Sequence, residues 1–277
     1  MSLTSFLKNS ADVRQRFKAE FAVPPLGATK ELAAPPLTQN YSLVGTAFDY
    51  LLRFYVERLN PESESGEWVA EKGALCDELE IDGHSFDIAG TIEKAKAAHK
   101  QYLQSGKIDD KLLRAVLDLA QLDAVARRGD ESYYEMLGKA GRKDVQDLQR
   151  LISLAKPETF KAKKVCALNP TFGRASELVG GADCDMVIDD MLIEVKTTKN
   201  FEVKREYFDQ IIGYYILFRI GGVDGLPKAH SIKKLGIYFS RHGCLWSFKV
   251  SDVIDEEKLP KFVTWFKKQA KQEFAFA

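Results

Sequence analysis

The chain has 277 residues, 45% of them hydrophobic, enough for one large or two small domains with a sizeable core. Lysine plus arginine equals aspartate plus glutamate at 40 each, so global charge argues for no nucleic-acid partner; one would need a local basic surface. Cys76, Cys166, Cys184 and Cys244 lack metal-ligand spacing, no apolar run approaches the ~18 residues of a membrane span, and the N-terminus lacks an apolar signal segment, so a soluble cytoplasmic protein with reduced thiols is expected.

Residues 2–22 read as a short helix, with Ser10-Ala-Asp-Val-Arg-Gln-Arg-Phe17 as a polar start and an amphipathic run. Residues 23–40 contain Pro24, Pro25, Pro35, Pro36 and Gly27 and read as an extended linker that can wrap over the domain. The strongest early helix is Tyr41–Leu59, with Phe48, Leu51, Leu52, Tyr55 and Leu59 at helical spacings. Gly45 and Asp49 lie one turn apart on one face, and the small residue leaves room for something to approach closely. Asp49 equally suits a surface pair with Arg53. Residues 67–156 read as mainly helical, with helices over 91–104, 111–128 and 144–154 and loops at Gly129-Asp130 and 138–141. Arg127-Arg128 and Arg142-Lys143 are placed to touch phosphates or simply to face solvent.

The pattern changes near residue 161. Lys164–Leu168 reads as a strand, Asn169–Phe172 as a turn, and Gly180-Gly181 as a flexible approach to a hairpin. That hairpin spans Asp183 to Lys196, with Asp189-Asp190 as its two-residue loop. Pairing follows by arithmetic: Ile188 faces Met191, Met186 faces Ile193, Asp185 faces Glu194, and Asp183 faces Lys196. Alternation puts Met186, Ile188, Met191, Ile193 and Val195 on a core face. The other face carries Asp183, Asp185, Glu194 and Lys196, with Val187 and Leu192 toward the turn. Opposed residues hold their β-carbons about 4.5–5.5 Å apart, so two carboxylates there repel unless something positive sits between them. A hard divalent cation suits such oxygen ligands. A solvated face with Lys196 bridging the two acids would use the same residues, and a one-residue slip would swap the faces.

Beyond the hairpin, Lys199, Lys204 and Arg205 make the best phosphate-binding patch in the sequence. Glu206–Ile220 reads as a helix with Gln210 and Tyr214 on one face. Strands over 234–240 and 244–250 flank Arg241-His-Gly243, and Val253–Phe276 reads as an amphipathic helix with lysines 261, 267, 268 and 271 in solvent. Histidines 84, 99, 230 and 242 share no ligand spacing and read as structural or surface residues.

Asp185, eight intervening residues, then Glu194-Val-Lys196 resembles the active-site signature of the PD-(D/E)XK nuclease superfamily. No proline precedes the aspartate. Asp183 is a rival for its place; Asp185 is preferred because it faces Glu194 and runs into the apolar part of its strand. Gly45-x3-Asp49 resembles the first motif of the RecB-like branch, with aspartate where histidine is commoner, and Gln210-x3-Tyr214 resembles its last. The resemblance covers residues 161–250 and the helix at 41–59. It implies an α/β, restriction-endonuclease-like fold, a small mixed β-sheet core flanked by helices with a largely helical N-terminal half. The corresponding division is a helix and Pro-rich linker at 1–40, a helical region at 41–160, and the nuclease core with its C-terminal helix at 161–277.

The function implied is metal-dependent hydrolysis of DNA phosphodiester bonds, by an exonuclease or a structure-specific endonuclease. Asp185, Glu194 and the Val195 carbonyl would ligate magnesium or manganese, with Asp49 and Asp183 as further candidate ligands. Lys196 would orient a water or steady the phosphate charge, and Gln210 and Tyr214 would position the DNA backbone or brace the lysine strand. Relatives that hold an iron–sulfur cluster use three clustered late cysteines, which this chain lacks, so none is expected. Neutral net charge leaves room for a protein partner or homo-oligomer to supply positive surface. Two other classes compete: a nuclease-fold module that binds nucleic acid or protein without cutting, and an interaction protein that works through its helical region at 60–156.

Overall fold

A serine breaks the first helix in two. In the computed structural model, which describes residues 2–72, 78–81, 84–129 and 131–274, α1 (Leu3–Asn9) and α2 (Ala11–Glu20) replace the single helix expected over 2–22. Ser10 is extended, at φ −81° and ψ 112°, while its N–H still bonds the Phe6 carbonyl. The bend lets Leu3, Phe6 and Leu7 of α1 and Val13 and Phe17 of α2 enter the same core. The linker that follows has no regular structure up to Asn40, as its prolines dictate. It lies along the molecule, joined to it by Ala34 N–H to the Arg241 carbonyl and by Trp246 Nε1–H to the Pro25 carbonyl.

Next come α3 (Tyr41–Leu59), β1 (Glu64–Ser65), α4 (Val69–Lys72), the small hairpin β2 (Glu78–Ile81) and β3 (His84–Asp87), α5 (Ile88–Ser105), α6 (Asp110–Arg128), α7 (Arg142–Ser153) and α8 (Pro157–Phe160). Asp87 and Asp109 cap α5 and α6 through their side chains, and left-handed glycines at 106 and 129 end them. The β2–β3 hairpin is a departure from the helical expectation for this region. The C-terminal half comprises β4 (Cys166–Leu168), α9 (Arg174–Leu178), β5 (Met186–Ile188), β6 (Met191–Lys196), α10 (Arg205–Gly221), β7 (Lys234–Phe239), β8 (Cys244–Lys249) and α11 (Leu259–Phe274). The last helix therefore begins six residues later than the sequence pattern implied. Cys76, Asp130 and Phe276 lie outside the described residues, as do the side chains of His84 and Arg128. Cys166, Cys184 and Cys244 are free thiols.

The main sheet is mixed, in the order β1-β4-β5-β6-β7-β8, with β1–β4 and β6–β7 parallel and the other pairs antiparallel. Both of its faces are buried, and alternation sorts its residues between two cores. Met186, Ile188, Ile193 and Tyr238 pack with α3, α5, α6 and α7. Val187, Leu192, Leu235, Ile237 and Phe239 pack with α1, α2, α9, α10 and α11. The hairpin face that carries the acids is thus not a solvated surface; toward its turn it is the floor of a second core. Gly213 of α10 makes that layer close-packed, since an added Cβ there would come within 3.1–3.2 Å of Leu3 and Leu7.

One fully buried ion pair ties distant segments together. Arg241, in the turn between β7 and β8, donates Nη1 to Asp147 Oδ1 at 2.9 Å and Nη2 to Asp147 Oδ2 at 3.0 Å. Its Nη1 also donates to the Ala34 carbonyl, and the Leu37 N–H reaches Asp147 Oδ2. Among the described residues no helix is long and apolar enough to cross a membrane.

Candidate active site

The hairpin register is the one the turn arithmetic requires. Ile188 pairs with Met191, Val187 with Leu192 and Met186 with Ile193, around Asp189 at φ +51°. Asp185 sits one residue before β5, on the same extrapolated rung as Glu194. Its Oδ2 accepts the Val195 N–H at 2.5 Å, which fixes the carboxylate against the next strand. The expected pairing of Asp183 with Lys196 is not formed as a ladder pair, since β5–β6 pairing ends at Met186 and Ile193; on its other edge Asp183 bridges Thr171, just after the positive-φ glycines 180 and 181.

Lys196 is the centre of a short chain of hydrogen bonds. Its Nζ donates to Glu194 Oε1 and to Gln210 Oε1, both at 2.8 Å, and Gln210 Nε2 donates to the Tyr214 hydroxyl at 2.9 Å. Residues four apart on α10 share a face, so the amide and phenol meet the lysine strand in series. The ammonium also lies 5.0 Å from the centre of the Tyr207 ring, within cation–π range. Burial opposes the Lys196 charge, but the Glu194 carboxylate and then Asp185 hold its pKa above the ordinary value. Burial, reinforced by the nearby acids, pushes the Tyr214 phenol well upward, so it remains a neutral hydroxyl.

Asp49 approaches from the other helical layer. Its Oδ2 accepts from Arg53 Nη2 at 2.8 Å, the i,i+4 pair the sequence allowed, but the pair is not on the surface: Arg53 is buried and stacks on Tyr50. Asp49 Oδ1 is buried without a hydrogen-bond partner, as is Glu194 Oε2. Burial raises the pKa of Asp49, Asp185 and Glu194. Repulsion adds to it, from Glu194 and Asp49 upon Asp185 and from Asp49 and Asp183 upon Glu194.

These groups line one cleft of about 420 Å³ at the carboxyl end of β6. Gly45 lines it too, and a Cβ built there meets only Thr197 Cβ at 3.8 Å, so protein packing does not demand the glycine. Two further residues line the cleft: Asp123, which the sequence reading did not single out, and Arg127, for which it left phosphate contact and a solvent-facing role both open. Asp123 of α6 is buried, accepts the Tyr50 hydroxyl at 3.1 Å, and pairs with Arg127 Nε at 2.7 Å. Arg127 is half exposed and reaches Asp183 Oδ2 at 3.4 Å, so it is neither a free solvent-facing cation nor a spent one. The signal was present: Asp123 continues the apolar stripe of Val116 and Ala120, where an acid has no packing reason to be. Arg205, by contrast, was expected to meet phosphate and is taken by Asp209 at 2.7 Å and the Phe21 carbonyl at 2.8 Å.

Among the described residues, no group of three or more His, Cys, Asp and Glu is positioned to hold a metal ion. Asp185 and Glu194 are each drawn onto an N–H donor. The donor set nevertheless fits a hard cation, because it is all oxygen, it is mutually repelling, and two of its buried oxygens have no partner. Compared with protein-family models, with curated proteins and with solved structures, the chain finds no match.

Proposed function

We propose that this protein is a metal-dependent nuclease that hydrolyses DNA phosphodiester bonds, built on a restriction-endonuclease-like sheet with a site of the PD-(D/E)XK kind. The observation that carries the reading is the meeting of Asp185, Glu194 and Lys196 in one cleft, with Glu194 Oε2 buried and unpartnered. A buried acceptor left without a donor costs about 1–3 kcal/mol, more for a charged group. A fold that keeps one beside further carboxylates gains from a cation when one is supplied.

Asp185, Glu194 and the Val195 carbonyl would hold magnesium or manganese, with Asp49 and Asp183 at the margin. Such an ion supplies Lewis acidity toward a phosphate oxygen and lowers the pKa of water. The chain's own residues do the rest. Lys196 presents an ammonium to the charge that grows on the phosphate. Gln210 holds that ammonium in line, and Tyr214 holds Gln210. Arg127, anchored by Asp123 at the rim, meets the neighbouring phosphate. Asp49, through its unpartnered Oδ1, would accept from a water or add a ligand to the ion.

The test is cleavage of linear, circular, single-stranded and branched DNA with magnesium or manganese, run beside Lys196→Ala. Cutting by the wild type, and cutting slower by about 10²–10³-fold in the variant, is expected. Equal rates would overturn the role of Lys196, and no cutting of any substrate by the wild type would leave a binding module.

A further inference from the structure

A second cleft, of about 700 Å³, lies at the opposite end of the hairpin from the acids. Two segments furnish its lysines: Lys161, Lys163 and Lys164 lead into β4, and Lys233 and Lys234 enter β7. Because the sheet order is β4-β5-β6-β7, the two lysine groups flank the hairpin on either side. Three strand spacings separate β4 from β7, roughly 14 Å. Val165 and Met191, both half-buried, line the cleft between them.

The hairpin turn is what gathers these cations. The Asp189 carboxylate accepts the backbone N–H groups of Lys163, Lys164 and Val165 at 2.8–3.3 Å. On the other side the Asp190 carbonyl accepts the N–H groups of Lys233 and Lys234 at 2.8 and 3.1 Å. Backbone bonds therefore bring like charges together, and none of the five ammoniums makes an ion pair among the described residues. Glu158, Asp189 and Asp190 also line the cleft but leave an excess of positive charge in a chain that is neutral overall. His230 lines it as well, and its Nε2 is buried without a hydrogen-bond partner.

We propose that this cleft binds the sugar–phosphate backbone of a single nucleic-acid strand, away from the acidic cleft and without reading its sequence. Lysine ammoniums placed along two rows act as point charges on phosphates, and the apolar floor accepts the sugar faces. The choice of nucleic acid over other polyanions rests on the nuclease reading of the acidic cleft. Met191 at one end of β6 lines this cleft and Lys196 at the other end lines the acidic one, roughly 17 Å apart along the strand, so a dinucleotide held at Lys196 does not reach the lysine rows.

The experiment keeps binding and cleavage apart. Binding of a labelled single-stranded oligonucleotide is measured with chelator present, in the Glu194→Gln background, with and without K163Q/K164Q/K233Q/K234Q. All four lysines are exposed, and melting of each variant reports that the fold is retained. Loss of affinity of at least tenfold is expected, with the salt slope shallower by about 3, since each neutralised single-strand phosphate contributes about 0.7. In the otherwise wild-type chain the same four changes leave dinucleotide cleavage unaltered. Unchanged oligonucleotide affinity overturns the proposal. Polyglutamate competing as well as the oligonucleotide at equal charge also overturns it, in favour of an acidic protein segment.

Discussion

Two buried acids in this protein meet opposite fates. Asp147 is enclosed by a guanidinium that covers both of its oxygens and by one backbone N–H, and nothing in that cluster is left over. Glu194 is just as buried, yet one oxygen has a lysine and the other has nothing, while Asp49 and Asp183 repel it. A buried charge whose valences are all met holds segments together. One that is left short, beside others of its sign and at the wall of a cleft, contributes no such tie. If the cleft is the proposed active site, completeness of pairing, not depth, is what separates structural from functional charge here.

The sharpest way to break the comparison is to damage the complete pair. Asp147→Ala strands a buried guanidinium and should lower stability by about 3–5 kcal/mol, measured by denaturant unfolding. Double replacement of Arg241 and Asp147 by methionine and leucine should recover most of that loss, because an apolar pair of similar volume is often neutral or stabilising. Comparable loss in the double variant would show that packing, not the stranded charge, dominates there.

Next in size is the effect at the incomplete site. Lys196→Ala removes one oriented donor to the developing charge and should reduce magnesium-dependent cleavage by about 10²–10³-fold, about 2.7–4 kcal/mol. Losing the ammonium also strands buried Glu194 among acids, so melting of the variant is measured beside its rate. Gln210→Ala, which only unseats the lysine, should fall between Lys196→Ala and wild type in rate. If Gln210→Ala instead lowers melting temperature as much as Asp147→Ala, its chain to Tyr214 is a structural brace.

Much of this contrast could be read in the sequence, and the part that could not has a physical cause. The hairpin register was legible because a two-residue turn and period-two alternation leave one solution, and the structure pairs 186–188 with 193–191 as required. Tyr41–Leu59 was legible because five apolar residues from Phe48 to Leu59 keep helical phase across about three turns. Burial of both hairpin faces was not, since Val187 and Leu192 are only two residues among four charges, and what covers them comes from α10 and α1, far away in the chain. The Asp147–Arg241 pair was invisible for the same reason: ninety-four positions separate partners whose local contexts look like a helix surface and a turn. Arg127 was already a candidate phosphate contact, and Asp123 could have joined it had the acid on an apolar stripe been weighed above the commonness of i,i+4 pairs.

A smaller effect carries the opposite sign. Asp185→Asn keeps an acceptor for the Val195 N–H but removes one of the charges that repel Glu194 and Asp49. In metal-free protein it should therefore stabilise, by about 1–2 kcal/mol, within the range seen when a poorly paired buried charge is removed. For a chain of this size that is a rise in melting temperature of about 2–4 °C for each kcal/mol. Magnesium or manganese should raise the melting temperature of wild type and leave the variant unmoved. A destabilised variant would mean that Asp185 is already complete, in the way Asp147 is.

The smallest change tests the empty side of the cleft. Gly45 lies within α3, where glycine is less favourable than alanine by about 0.5–1 kcal/mol. A methyl group there meets Thr197 Cβ at 3.8 Å, an ordinary contact, and no other atom outside its own helix turn lies within 4 Å. Packing therefore gives no reason to keep the glycine, and Gly45→Ala should raise stability by about that amount. If the position is small because a phosphate backbone passes over it on the way to Asp49 and Glu194, the same methyl should raise KM for DNA several-fold and leave kcat nearly unchanged. A gain in stability with no change in KM would place the DNA path on the Arg127 side of the cleft, away from α3's first turns.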